Sequence, residues 1–200
     1  LYTAFVLMSR IDIGIRYYLP AFPFLFILGG ALLDYLLSSR RARRAGAAAA
    51  FVLLAWVGVE ALRAYPDQMS YMNQLAWSRP HWHYLSDSNV EWGDDMRGLA
   101  EYLKARGETR VRAATLGGYA TLKHYGVESL DLMAPTDVRL PETRYVAIGA
   151  SFLNGSTVPA REIRGRKLTE EERVNLFDDY RRRAPEAVIG GSIYIFREHE

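Results

Sequence analysis

"YLPAFPFLFILGGALLDYLL", residues 18–37, decides what kind of protein this is. Twenty residues of α-helix are about 30 Å long, the thickness of a bilayer's hydrocarbon core. Residues 19–33 carry no charge, and a helix that is apolar all round belongs in a large core or in lipid. The sequence from Tyr65 onward is too short to wrap a large core around it. Pro20 and Pro23 fall in the first turns, where a missing N–H is tolerated. Asp34 lies near the far end, within reach of the headgroups.

A second apolar run follows at residues 45–62, "AGAAAAFVLLAWVGVEAL". An amphipathic surface helix is the alternative, but residues 45–59 have no charge and so offer no polar face. Two late spans, about 18–37 and 45–62, are therefore expected, with residues 1–8 as the tail of an earlier one. The connection 38–44 holds Arg40, Arg41, Arg43 and Arg44. Arginine-rich short loops mark the cytoplasmic side. Residues 9–17 then face outward, and everything after about residue 65 is extracytoplasmic. For a bacterium that means the inner membrane, with the second part of the chain in the periplasm or on the cell surface. The chain opens on Leu1 rather than Met, and further sequence is expected to precede it.

The net charge of +2 is uneven. Residues 1–64 hold seven Arg against three acids, while the rest is slightly acidic. Nothing in that balance suits a dedicated nucleic-acid binder. The absence of cysteine removes disulfides, thiol nucleophiles and Cys-based zinc sites. The expected architecture is transmembrane α-helices (1–64) followed by a small extracytoplasmic α/β domain (65–200). In that domain, residues 66–77 suggest a short helix with Met69, Met72 and Ala76 on one face. Met96, Leu99 and Leu103 predict a helix ending near Gly107. Residues 111–117 and 145–151 have strand composition, with a short helix near 120–125 and a strand near 130–132 between them. Thr169 with Glu172 forms a capping-box signature. Val174, Phe177 and Tyr180 then line one face, arginines 181–183 suit the helix end, and Pro185 stops it. "SIYIF" at 192–196 reads as a final strand.

One stretch of this domain carries most of the polar chemistry: "DSNVEWGDD", residues 87–95. A calcium loop needs alternating oxygens with Gly at its sixth position and Glu at its twelfth. Asp87, Asn89 and Glu91 alternate, but Gly93 is seventh and Gly98 is twelfth. The nearby His81 and His83 would add nitrogen ligands, although surface histidines are more often solvated. A catalytic carboxylate pair needs two groups that converge, and the adjacent Asp94 and Asp95 would point about 100° apart on a helix. A helix start accounts for most of the stretch. Acids suit the positive end of the dipole, Asp, Ser and Asn are turn and cap formers, and Trp92 is expected to bury against the core.

Taken together, "YPDQMSYMNQLAW" and "YLSDSNVEWGDDMRGLAEYLKARG" resemble the C-terminal region of bacterial membrane glycosyltransferases of family 39. That family is related to the dolichyl-phosphate-mannose protein mannosyltransferases and the lipid A aminoarabinose transferases. The matching positions are Tyr65, Pro66, Tyr71, Asn73, Asp87, Ser88, Asn89, Trp92, Gly93 and Asp95. Met72, Glu91, Asp94 and Met96 depart from the family's Phe, Asp, Gln and Leu, and residues 77–80 replace its usual Gly-Gly-Pro. "IGIRYYLPAFPFL" (13–25) and "APEAVIGGSIYIF" (184–196) are similar to its segments before a late span and at its closing strand. The resemblance covers nearly the whole chain, in order.

The resemblance implies a multi-pass enzyme that moves a sugar from a polyprenyl-phosphate donor to a lipid or protein acceptor. The family's catalytic carboxylate lies in a first external loop that this stretch does not contain. No catalytic residue, metal or cofactor is therefore expected here, and residues 1–200 alone are expected to be inactive. Arg16 and Tyr17, on the outer side just before a span, are the candidates for contact with the donor's lipid phosphate. Asp87, Asn89, Trp92 and Asp95 are the candidates for a structural corner that also faces the acceptor. One rival is a two-span anchored module that binds glycan or protein through Trp77, Trp82 and Trp92. A second rival is a calcium-dependent surface domain.

Overall fold

The computed structural model describes residues 2–8, 14–38, 43–76, 78–134, 143–160, 162–163 and 165–198. The chain divides into two compact units, Leu1–Tyr65 and Pro66–Glu200.

The first unit holds α1 (Tyr2–Leu7), a 3-10 segment (Gly14–Ala21), α2 (Phe22–Ser38) and α3 (Arg43–Ala64). The Tyr2 hydroxyl donates to the Tyr17 carbonyl, and the Tyr2 and Tyr18 rings meet edge to face. Pro20 lies inside the 3-10 segment, where an i→i+4 ladder is not required. Helical geometry runs from Arg16 to Ser38 and again from Arg43 to Ala64, and both stretches are long and apolar enough to cross a membrane. Gly46 lies against Leu36, so the helix backbones meet closely there. Most other side chains of the two helices are exposed. No residue of α2 is buried, and Gly46 is the one buried residue of α3. Arg40 and Arg41 of the basic connection lie outside the described residues.

The second unit is an α/β layer fold. Its elements are α4 (Met96–Lys104), β1 (Arg110–Ala114), α5 (Tyr119–His124), β2 (Glu128–Asp131), β3 (Tyr145–Gly149), α6 (Ala150–Asn154), β4 (Glu162–Ile163), β5 (Arg166–Lys167), α7 (Glu170–Val174), α8 (Asp178–Arg181), β6 (Ala187–Ile189) and β7 (Ile193–Arg197). Five strands form a mixed sheet in the order β2-β1-β3-β7-β6. β1 pairs parallel with β2 and β3, whereas β7 runs antiparallel between β3 and β6. Successive residues of a strand face opposite sides, and both sides are covered. Ala147, Ile193 and Ile195 pack with Met96, Leu99 and Leu103 of α4 and Leu122 of α5. Val146, Ile148, Tyr194 and Phe196 pack with Phe152, Leu153 and Phe177. The alternation in "SIYIF" is thus between two apolar faces.

Two local expectations change and one is met. The segment after Tyr65 is not one helix but two 3-10 turns, Gln68–Ser70 and Gln74–Ala76, and Met69 faces out while Met72 packs on the core. The capping box at Thr169 is present in full, with Thr169 Oγ1 accepting from the Glu172 N–H and Glu172 accepting from the Thr169 N–H. The helix it opens nevertheless ends at Val174, and α8 starts afresh at Asp178, so Val174, Phe177 and Tyr180 do not share one helix. The Arg181 guanidinium bonds the Val174 carbonyl at the end of α7 and the Leu153 and Asn154 carbonyls of α6, which ties the break to a second helix.

Candidate functional site

In an open α/β sheet, ligands gather outside the carboxyl ends of parallel strands, where the strand order switches direction. Here that place is β1–β3: the chain leaves β1 through α5 to β2 on one side, and β3 lies on the other. Residues 87–95 are laid across this edge. Residues 87–89 make a 3-10 turn, with the Asp87 carbonyl accepting from the N–H of Val90 and Glu91, both at 3.1 Å. Asp87 has φ 52°, a left-handed conformation that Asp tolerates better than most side chains. Val90 and Glu91 then turn inward. Gly93, at φ 83°, passes so close to Gly117 that a Cβ would meet its Cα at 2.5 Å.

Two carboxylates fasten this strap. Glu91 is 1% exposed. Its Oε1 accepts the Leu116 N–H at 2.7 Å, just past β1, and its Oε2 accepts the Ser151 N–H at 3.3 Å, just past β3. Gly149 lies under the carboxylate, and a Cβ there would collide with it. Burial pushes the Glu91 carboxyl up to about 7. The backbone donors pull it down by less, and the charge of Asp95 adds to the rise. Asp95 reaches the neighbouring β6–β7 turn, where its carboxylate accepts the Ser192 hydroxyl and leaves no room for a Cβ on Gly190. Partial burial lifts Asp95 to about 6, with the charges of Asp94 and Asp67 contributing. Ser192 in turn accepts the Ala150 N–H at 2.7 Å, joining the two anchor points. Ser70 bonds the Gly190 carbonyl from the other direction, and the His81 N–H donates to the Tyr194 hydroxyl at 3.1 Å. Burial lowers the His81 imidazole pKa.

The sequence candidates separate on this frame. Asp95 faces inward and pins the sheet edge. It stands at the N-cap position of α4, where its carbonyl accepts the Leu99 N–H, but its side chain makes no cap bond and the first turn contains no acid. Asn89 is half-buried and donates to the Ser86 carbonyl within the strap. Asp87 faces out. Trp92 is not buried: it is 57% exposed, because its Nε1–H turns back to the Ser88 carbonyl at 2.7 Å and leaves the ring faces outside. Glu91, the strongest anchor, enters the sequence reading as an oxygen of a calcium loop and is left out of the structural corner. A lone acid between Val90 and Trp92 carries no local mark of burial, and only the bare strand end at Gly149 matches it. Sealed in this way, Glu91 cannot touch a ligand, and Asp95 is the carboxyl with solvent access. Among the described residues no group of three His, Asp or Glu is placed to hold a metal. In the first unit, Arg16 is exposed and Tyr17 half-buried, adjacent on the 3-10 segment before α2. Trp77 lies outside the described residues.

Comparison with protein-family models, with curated proteins and with solved structures finds no match to this chain.

Proposed function

We propose that this chain is the C-terminal part of a membrane glycosyltransferase that takes a sugar from a polyprenyl-phosphate donor. In this reading α2 and α3 span a bacterial inner membrane, with their basic connection in the cytoplasm and the α/β unit on the outer side. The observation that carries the proposal is an order along the chain. An Arg16-Tyr17 pair, two long apolar helices, and then an Asp-Ser-Asn…Trp-Gly strap follow one another as in the family the sequence resembles. The exposed apolar side chains of α2 and α3 support the membrane assignment, because apolar surface of that extent is costly in water. Arg16 and Tyr17 take the donor's phosphate, and the strap lies beside the acceptor.

The test uses membranes carrying the whole reading frame and a donor labelled in its sugar. Label is expected in the lipid or protein fraction, and it is lost when acidic residues of the first external loop are replaced. Arg16→Ala is expected to weaken donor binding several-fold. A membrane preparation that neither binds donor nor transfers sugar overturns the proposal. One observation favours a second reading, an anchored glycan- or protein-binding module: the open ring faces of Trp92. Glycan binding without transfer, lost in Trp92→Ala, would select it.

A further inference from the structure

We infer that residues 65–76 form an apron that rests in the headgroup–acyl boundary of the bilayer. The inference rests on the membrane reading of α3. The segment "YPDQMSYMNQLA" starts where α3 ends and contains a single charge, Asp67. Its two 3-10 turns give it two different sides. On the inner side, Ser70 is buried with its hydroxyl on the Gly190 carbonyl, and Met72 packs against the core. These bonds fix the segment to its own unit.

Facing away from that unit are Met69, Tyr71 and Leu75, with Leu75 91% exposed. Singly exposed apolar side chains are ordinary. Three within seven residues, with no charge among them, have the composition of a membrane interface: a phenol at the headgroups and aliphatic chains below it. Position selects lipid over a soluble partner. Met69 is five residues beyond Ala64, at most about 18 Å of chain. If Ala64 ends a span, Met69 cannot travel far from the headgroup layer.

The chain has no cysteine, so single-site labelling is clean. The M69C and L75C variants of the full chain are labelled with an environment-sensitive fluorophore and reconstituted in phosphatidylcholine–phosphatidylglycerol vesicles. E128C, on the exposed end of β2, is the aqueous reference. V52C, on the outer face of α3, is the deep reference. Lipids with shallow nitroxides are expected to quench the Met69 and Leu75 probes at least threefold more than the Glu128 probe, while aqueous iodide shows the reverse order. Iodide quenching of the Met69 and Leu75 probes equal to that at Glu128 overturns the inference. A Val52 probe quenched by deep nitroxides in that experiment leaves the membrane reading standing. A Val52 probe open to iodide brings down both.

Discussion

A carboxyl group kept from water ties stability to pH, and Glu91 is the case to work through. Its folded value near 7 exceeds the unfolded value of 4.5. Between those values the folded chain holds the extra proton, so stability falls as pH rises, by about 3 kcal/mol in total if Glu91 acts alone. Below 4.5 that contribution is complete, and above 7 it is gone. Asp95 acts in the same direction, more weakly because it is half-exposed to solvent. His81 acts in the opposite one: its lowered pKa means that stability drops as pH falls below its ordinary 6.5. Leu116, Ser151 and Asp95 are the groups acting on Glu91, and among the described residues no cation pairs with it. Denaturant unfolding is expected to give a higher midpoint at pH 5 than at pH 8, with a flatter profile for Glu91→Gln. A wild-type midpoint that rises from pH 5 to pH 8 would contradict the burial of this acid. Glycines in the left-handed region supply a second residue-scale test. Gly107→Ala meets open space and is expected to cost only its backbone strain, about 1 kcal/mol. Gly93→Ala adds a collision with the Gly117 backbone and is expected to cost roughly 2–4 kcal/mol by thermal melting.

At the scale of elements, the periodic segments were legible and the crossing segments were not. The apolar spacing of Met96, Leu99 and Leu103 locates α4, and Thr169 with Glu172 locates the start of α7, because each feature is local. The break at Asn175 is not local. It is held by Arg181, whose guanidinium meets carbonyls of α6 and α7 that no sequence period brings together. Nor does composition reveal that residues 87–95 cross the sheet edge. Their turn-forming residues fit a helix start equally well, and the bond from Trp92 to the Ser88 carbonyl turns an expected core residue outward. Calorimetry on two substitutions separates these cases. Thr169→Ala is expected to cost about 1 kcal/mol, the usual value of a cap. Arg181→Lys keeps the charge but loses the fork that serves three carbonyls, and is expected to cost more, about 2–3 kcal/mol.

For the whole molecule, the two units differ in where their apolar side chains lie: mostly exposed on α2 and α3, buried on both sides of the sheet. Among the described residues, the buried apolar side chains of the α/β unit run from Val90 to Phe196 and form a core on each side of the sheet. Residues 66–200 produced alone are expected to give one cooperative urea transition, and a non-cooperative one would mean that the core depends on the first unit. The strand order was beyond the reach of the sequence, since period-two alternation in β7 reports two apolar sides and not which neighbours cover them. That strand has a temporal meaning as well. β7 is the last strand in chain order and sits between β3 and β6, with the turn that receives Asp95 just before it. During synthesis the earlier strands emerge with an unfilled slot, and the sheet cannot close until residue 197 has left the ribosome. A premature stop a few codons before that point is therefore as damaging to this unit as one near its start. Until that strand emerges, the nascent unit stays a client for chaperones and proteases.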